Sequence, residues 1–163
     1  MCITGGEPLL QKDIADFIYK IKDMGFLVKL DTNGFFPDVL KHLINEKLID
    51  YVAMDIKNSP EKYAVTCGLD SLDFESVKKS VDILKNSGLD FEFRTTTVKE
   101  FHEKSDFESI GKWLEGNFKY YIQCFKDSGD TIGSGLSSPS EEALNAFKAV
   151  VLPYLPLTEL RGI

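Results

Sequence analysis

Cysteine is scarce in this sequence, and its scarcity argues against two kinds of site. The only three cysteines, Cys2, Cys67 and Cys124, lie far apart in the sequence. Cysteines that bind a metal together usually stand a few residues apart, and disulfide frameworks need more of them at regular spacings. Free cysteine behaves as a small hydrophobic residue and is often buried. We therefore expect three separate thiols in a reducing compartment.

Positive charge and long apolar runs are also lacking. The chain has 26 acidic against 19 basic residues, which gives a formal net charge of -7. An acidic chain without a basic stripe argues against nucleic acid as a partner. No run approaches the roughly 20 apolar residues of a membrane span, and the first residues lack the pattern of a secretory signal. We expect a cytoplasmic protein that binds neither nucleic acid nor membrane.

A Gly-Gly turn follows the first short apolar run. Residues 1–4 are predicted to form a strand, and Gly5, Gly6, Glu7 and Pro8 come directly after it. Glycine lets a ligand approach the backbone closely, and Pro8 favours the start of a helix. The turn would present backbone carbonyls and Glu7 at the end of a strand, where an amine-bearing ligand fits. The alternative interpretation is a plain strand-to-helix turn with a solvated Glu7.

Polar residues also follow three later strand-like runs. Strands predicted at residues 26–31, 50–55 and 90–96 carry Asp31, Asp55 and Arg94 in or next to their last residues, and amphipathic helical segments lie between them. Repeated strand–helix units predict an α/β fold with a parallel sheet of about five strands. A further strand is predicted at 119–124, a Gly- and Ser-rich loop at Asp127–Ser138, and a short strand in the tail. In such folds the ligand binds at the carboxyl ends of the strands.

The motifs resemble those of the radical S-adenosylmethionine (radical SAM) superfamily. Residues 4–11 (TGGEPLLQ) are similar to its GGEP motif and the usual continuation. Residues 30–34 (LDTNG) and 54–57 (MDIK) are similar to runs in the activating enzymes for glycyl-radical enzymes. Those activating enzymes serve pyruvate formate-lyase and anaerobic ribonucleotide reductase, and the second branch is slightly more similar. The resemblance extends to residues 159–162 and so implies one radical SAM core domain over residues 1–163, a partial parallel (β/α) barrel.

The resemblance implies a reaction, its cofactors and a partner. A complete relative uses a [4Fe-4S] cluster to cleave S-adenosylmethionine reductively, and the resulting radical takes a hydrogen atom from a glycine of a glycyl-radical enzyme. The cluster is held by a Cys-x3-Cys-x2-Cys loop before the GGEP strand, and this sequence contains no such loop. We therefore expect a chain without the first strand–helix unit, with no cluster, with weak S-adenosylmethionine binding and without activity alone. The exposed edge of its sheet could promote self-association.

Five candidate site residues lie at the first two strand ends. By resemblance, Gly5, Gly6 and Glu7 bind the methionyl amino group through backbone carbonyls and a carboxylate. Asp31 and Asn33 have oxygen and amide groups that suit ribose hydroxyls or the same amino group. The alternative for the latter pair is an Asx-turn, because Asp-x-Asn-Gly is a strong turn sequence.

Four more candidates lie at later strand ends. Asp55 and Lys57 alternate along the chain and so point to the same face, where Lys57 could pair with Asp55 and reach the cofactor carboxylate. A structural salt bridge is the alternative. Arg94, if it points inward, needs an anion and matches a carboxylate in a bidentate way; if it points outward, it is a solvated surface residue. Gln123 stands where related enzymes carry another cofactor contact.

Two functions other than an activating enzyme are compatible with these residues. One is a cluster-free protein that binds S-adenosylmethionine or the glycyl-radical partner without reaction. The other is an unrelated βα-barrel enzyme of aldolase type, with Lys57 as a Schiff-base residue, although a lysine beside Asp55 would stay protonated and be a poor nucleophile. The two histidines, His42 and His102, are predicted to be surface or capping residues rather than metal ligands.

Overall fold

The computed structural model describes residues 1–126 and 135–163, so most of the predicted loop at Asp127–Ser138 lies outside the described residues. The strands are β1 (Cys2–Ile3), β2 (Lys29–Thr32), β3 (Tyr51–Asp55), β4 (Asp90–Thr97), β5 (Lys119–Cys124) and β6 (Leu157–Arg161). The helices are a 3-10 turn at Pro8–Leu10, α1 (Ile14–Asp23), α2 (Pro37–Asn45), α3 (Tyr63–Thr66), α4 (Phe74–Asn86), α5 (Lys104–Leu114) and α6 (Glu141–Val151).

The six strands form one sheet in the order β1-β2-β3-β4-β5-β6. The register is parallel between β1 and β2, between β2 and β3, and between β5 and β6. Sequential parallel neighbours joined through helices are what right-handed strand–helix crossovers produce. The predicted α/β fold is confirmed. The sheet has six strands rather than the predicted five or so, because the tail strand β6 pairs with β5 along its whole length.

The described residues group into two compact units. Unit 1 comprises Met1–Asp55 and Asp73–Glu92, and unit 2 comprises Ile56–Leu72 and Phe93–Ile163. Each unit therefore contains several of the strand ends that the sequence marked as candidate sites.

Unit 1 is built on helices with one apolar face. Ile14, Ile18 and Ile21 recur at helical spacing on α1, and all three are buried. The helix α4 begins as predicted, because the side chain of Asp73 accepts a hydrogen bond from the Ser76 amide and caps the first turn. These helices cover a core whose sheet residues, including Leu30, Val52 and Met54, are fully buried.

The strand predicted from Phe26 begins three residues later, at Lys29. Phe26 and Leu27 are exposed, and the backbone up to Phe26 still bonds to the end of α1. The Gly25 amide donates to Lys22 O at 2.8 Å and the Phe26 amide to Ile21 O at 3.4 Å. The apolar character of Phe26 and Leu27 therefore reflects exposed surface rather than strand core.

Unit 2 depends on capped helices and stacked rings. In α5 the Glu103 side chain accepts from the N3 backbone amide while Asp106 accepts from the Glu103 amide at 2.8 Å, which is a capping box. Ser140 caps α6 through the Ala143 amide. The rings of Phe107 and Phe147 stack with centroids 4.6 Å apart, so the two capped helices meet on a rigid aromatic contact.

Large apolar side chains are exposed mainly near the start of unit 1. These exposed residues are Met1, Leu10, Phe17, Tyr19, Met24, Phe26 and Leu27. Self-association through this edge of the sheet stays a prediction. Among the residues that the structure describes, no helix has the length and apolar character needed to cross a membrane.

Candidate functional site at the strand ends

The Gly-Gly turn at the end of β1 has room around it. Gly5 has a φ of 140°, a value that side chains rarely allow, and an added Cβ on Gly5 or Gly6 would meet nothing within 4 Å. Both glycines are exposed, whereas Glu7 and Pro8 behind them are buried. The glycine backbone is therefore the part of this turn that a ligand can approach.

Glu7 is held by three hydrogen bonds, which we call the Glu7 network. Its carboxylate accepts from the Leu9 amide at 3.1 Å, from the Thr32 hydroxyl at 2.9 Å and from the Asn33 amide at 2.7 Å. The network joins the end of β1 to the end of β2 and satisfies amide groups that no strand partner reaches. Glu7 is thus a structural acceptor within the protein, and its direct contact with a cofactor stays a prediction.

Asp31 and Asn33 also have partners inside unit 1. Asp31 forms an ion pair with Lys29, and only 14% of its side chain is exposed. The Asn33 side-chain oxygen accepts from the Phe35 amide at 3.1 Å, which is the Asx-turn that the sequence left as an alternative. Ligand binding by either residue stays a prediction, and the turn interpretation of Asn33 is confirmed.

A cavity of about 550 Å³ lies beside the end of β1. Its lining combines the Gly-Gly-Glu turn with the first turn of α1, namely Ile3, Thr4, Gly6, Glu7, Pro8, Leu10, Gln11, Asp13, Ile14 and Phe17. The cavity lies within unit 1 and is large enough for a small organic molecule.

In unit 2, the segment after β3 is held from several sides. We call residues 56–59 the Lys57 segment. The Ile56 amide donates to Arg94 O at 2.8 Å, and the Thr95 hydroxyl donates to Ile56 O at 2.8 Å. The Tyr120 hydroxyl in turn donates to the Thr95 hydroxyl at 2.6 Å. Because Tyr120 is fully buried, its pKa is raised and it stays a neutral donor.

His102 makes a further contact to the Lys57 segment. Its Nε2 lies 2.9 Å from Lys57 O, and its Nδ1 lies 3.1 Å from both the amide nitrogen and the carbonyl oxygen of Val98. A carbonyl oxygen can only accept, so Nε2 carries a proton, and in the neutral ring Nδ1 accepts from the Val98 amide. Of the two predicted roles, surface or capping residue, His102 does not have the first, because it is 5% exposed and bonds backbone groups of Val98 and Lys57, whereas His42 is exposed. Sequence reasoning missed this role because Lys57 stands 45 residues away.

Gln123 lies on β5 opposite Arg161 of β6. The Arg161 guanidinium stacks over the ring of Tyr121, with 3.1 Å between its central carbon and the ring centroid. Tyr121 and Gln123 are two residues apart and so face the same side of the strand. Arg161 is a second strand-end arginine that the candidate set omitted, although the predicted tail strand carried the signal for it.

The structure brings the predicted residues together in two sets. Gly5, Gly6, Glu7, Asp31 and Asn33 lie at neighbouring strand ends of unit 1, which also contains Asp55 at the last position of β3. Lys57, Arg94 and Gln123 lie in unit 2, where the Lys57 segment is bonded to the Arg94 backbone. The convergence of all nine residues on one ligand stays a prediction.

The thiol groups do not form a cluster site. Cys2 is exposed on β1, and Cys67 and Cys124 are half-buried in unit 2. Burial raises the pKa of Cys67, against a smaller lowering by the charge of Lys57. Across residues 1–126 and 135–163, no group of three or more His, Cys, Asp or Glu side chains could hold a metal ion. The donors described here do not fit a cluster that needs three neighbouring thiolates.

Comparison with known proteins identifies the family. The sequence model of the Radical SAM superfamily matches residues 1–114. A Methanocaldococcus jannaschii protein, provisionally named as a glycyl-radical enzyme activating enzyme, is 37% identical over 167 aligned positions, which cover 99% of this chain and 70% of that protein. A second protein of that organism with the same provisional name is 27% identical, over 94% of this chain and 59% of its own length.

A solved structure supports the same fold. A domain of pyruvate-formate lyase-activating enzyme from Bacteroides vulgatus superimposes with a TM-score of 0.76 at 13% identity, over 99% of this chain and 98% of that domain. At this identity the likeness concerns the fold, and it agrees with the partial barrel expected from the sequence. The chain therefore belongs to the radical SAM superfamily.

Proposed function

We propose that this chain forms the S-adenosylmethionine-binding part of an activating enzyme for a glycyl-radical enzyme. Membership of the radical SAM superfamily implies S-adenosylmethionine and a [4Fe-4S] cluster in complete relatives. The provisional names of the two archaeal relatives support the activating function. Both relatives are longer than this chain, so the complete reaction is proposed for it only by analogy with them. An aldolase-like enzyme receives no support from the family.

The proposal rests on the exposed backbone of Gly5 and Gly6, next to which Glu7 is held by hydrogen bonds. Peptide carbonyls accept hydrogen bonds, and the amino group of methionine is a three-donor ammonium. The Glu7 network holds this turn through 2.7–3.1 Å hydrogen bonds, so a ligand would meet a preorganised backbone. Preorganisation lowers the entropy that binding costs.

Unit 2 has cationic side chains at its own strand ends. Lys57 and Arg94 are both half-buried, and the amide of Ile56, the residue before Lys57, donates to Arg94 O. A guanidinium or ammonium at a strand end suits the carboxylate of an amino acid. We propose that Lys57 and Arg94 bind the methionyl carboxylate.

The described donors do not fit a [4Fe-4S] cluster, so we derive no radical step through this chain alone. Binding then depends on hydrogen bonds and partly exposed ion pairs, which contribute roughly 1.5–3 kcal/mol each when buried and less when exposed. We expect a Kd between about 100 μM and 1 mM for S-adenosylmethionine.

Titration calorimetry with S-adenosylmethionine tests the proposal. We expect Arg94→Ala and Lys57→Ala each to weaken binding about tenfold, which corresponds to about 1.4 kcal/mol. The matched control is Lys119→Ala, because Lys119 begins β5 and so lies at the opposite end of a strand. Binding that ignores both substitutions, or that is lost equally in the control, would place the ligand elsewhere.

The partner is testable separately. A purified glycyl-radical enzyme immobilised on a sensor surface should retain this chain, and serum albumin at the same density should not. Retention without any S-adenosylmethionine binding would favour the alternative of a partner-binding module.

A further inference from the structure

We infer that His102 is a positioning residue for Lys57 and thereby contributes to binding the carboxylate of S-adenosylmethionine. This inference rests on the proposed function for its ligand, but its geometry stands on unit 2 alone. Three observations carry it: the burial of the Lys57 segment, the bonds to its carbonyls and the hydrogen-bond pattern of His102.

Lys57 is the one residue of its segment whose side chain is not buried. Ile56 and Asn58 are fully buried, and Ser59 is 1% exposed. The side chain of Asn58 donates to the Thr66 hydroxyl at 2.8 Å and to Phe101 O at 3.0 Å, and it accepts from the Ser59 amide at 2.7 Å. Hydrogen bonds therefore fix the segment on both sides of Lys57, and its backbone sets the direction in which the Lys57 side chain extends.

His102 holds the carbonyl of Lys57 itself. Ile56 O is bound by Thr95 and Lys57 O by His102, so consecutive carbonyls are fixed by donors from two different parts of unit 2. A carbonyl left without its donor could rotate its peptide plane, and that rotation would move the Lys57 side chain. Removing His102 would thus change Lys57 without removing a ligand contact.

The imidazole donates to Lys57 O through Nε2–H, which both its neutral and its protonated form carry. In the neutral ring the bare Nδ1 accepts from the Val98 amide. Burial lowers the pKa of His102, and the charges facing it are Asp106, which favours protonation, and Lys62, which opposes it. Protonation would add a proton to Nδ1, so the Val98 amide would lose its acceptor while Val98 O, 3.1 Å from Nδ1, would gain a donor. Its ring also packs against Phe107, at 5.8 Å between centroids, which fixes its plane.

The first experiment measures Lys57 without any ligand. The acetylation rate of Lys57 by acetic anhydride, followed by peptide mass spectrometry, should change at least threefold in His102→Ala. His102→Gln, whose amide can still donate to Lys57 O, should restore most of the wild-type rate, and His42→Ala is the control because His42 is exposed. An unchanged Lys57 rate in His102→Ala overturns the inference.

The second experiment is a double-mutant cycle on S-adenosylmethionine affinity. We expect His102→Ala to weaken binding about fivefold in the wild-type background and to have no further effect in the Lys57→Ala background, because it acts through Lys57. Equal effects in both backgrounds would show a general loss of structure and overturn the inference. If the wild-type chain does not bind S-adenosylmethionine, the proposed function fails, and the acetylation rates still decide whether His102 positions Lys57.

Discussion

The strand ends of the two units are held by opposite kinds of chemical group. In unit 1 a carboxylate, Glu7, accepts hydrogen bonds from the backbone amides of Leu9 and Asn33. In unit 2 side-chain donors, the Thr95 hydroxyl and the His102 imidazole, give hydrogen bonds to the carbonyls of Ile56 and Lys57. The network in unit 1 gives backbone amides a hydrogen-bond acceptor, and the network in unit 2 gives backbone carbonyls a donor.

This difference determines what each strand end can offer a ligand. Where a side chain satisfies the amides, as at Glu7, the neighbouring glycine carbonyls can face a donor. Where side chains satisfy the carbonyls, as at Lys57, the segment presents a cationic side chain instead. Unit 1 thus offers hydrogen-bond acceptors at its strand ends, and unit 2 offers a cationic side chain.

The largest effect should come from the turn that follows the Glu7 network. Gly34 has a φ of 79°, and a Cβ there would lie 2.1 Å from Met54 Cε and 3.4 Å from Ser80 Cβ. Met54 is fully buried, so its flexible end can move only if the neighbouring core side chains move too. We expect Gly34→Ala to lower the free energy of unfolding by about 3 kcal/mol, from strain and overpacking together.

Gly25→Ala is the matched control for Gly34→Ala. Gly25 has a φ of 83° and no atom within 4 Å of an added Cβ, so only backbone strain of about 1 kcal/mol is expected. Urea unfolding of both variants measures the difference, and similar midpoints would mean that Met54 can repack.

The Glu7 network should be the next most sensitive feature. Glu7→Ala leaves the Leu9 and Asn33 amides and the Thr32 hydroxyl without their acceptor, so we expect a loss of about 2–3 kcal/mol. Glu7→Gln keeps one acceptor oxygen and should cost about 1 kcal/mol. Hydrogen exchange of the Asn33 amide should accelerate more in the Ala variant, and equal exchange in both variants would contradict a role for the carboxylate.

The sequence predicted local features of these networks better than the networks themselves. The Gly-Gly turn, the Asp73 cap and the Asn33 turn depend on neighbouring residues, and all three are present. The bond from Glu7 to Asn33 spans 26 residues and that from His102 to Lys57 spans 45. Such pairs depend on which strands are neighbours, so residue type alone could not reveal them.

The start of β2 and the contacts of the tail strand were also beyond what local sequence patterns can predict. Phe26 and Leu27 are apolar, yet both are exposed and lie before β2, and the Phe26 amide still bonds to Ile21 O of α1. Arg161 meets Tyr121 only through the β5–β6 register, and register is a tertiary property. The grouping of these strand ends into one predicted site came from the family resemblance, because local sequence patterns do not indicate it.

A smaller effect should separate two threonines on the same face of β4. Thr95 and Thr97 are both fully buried. Thr95 links Tyr120 to Ile56, whereas among the described residues the hydroxyl of Thr97 has no hydrogen-bond partner. Thr95→Val should lower the free energy of unfolding by about 1–2 kcal/mol, because it leaves two buried groups without a hydrogen-bond partner. Thr97→Val should be neutral or slightly stabilising. Equal losses in urea unfolding would show that Thr97 also has a partner.

The smallest expected effect is a different acid sensitivity of the two units. The pKa of His102 is lowered by burial from its usual 6.5, so the stability that its neutral form contributes is complete above pH 6.5 and declines as the pH falls through and below that value. In unit 1, burial opposes the lowering of the Asp50 pKa, but hydrogen bonds from Lys22 and the Val28 amide prevail. Its contribution is therefore lost only below about 3.8, the usual value for this carboxyl.

Urea unfolding between pH 7.5 and 5.5 tests this difference. Over that interval the wild-type chain should lose more stability than His102→Gln, which keeps a donor to Lys57 O but cannot be protonated there. One proton accounts for a slope of at most about 1.4 kcal/mol per pH unit. The matched control, His42→Gln, should behave like the wild type because His42 is exposed on α2. Parallel curves for His102→Gln and the wild type would show that the imidazole does not titrate during unfolding, and that unit 2 is no more sensitive to mild acid than unit 1.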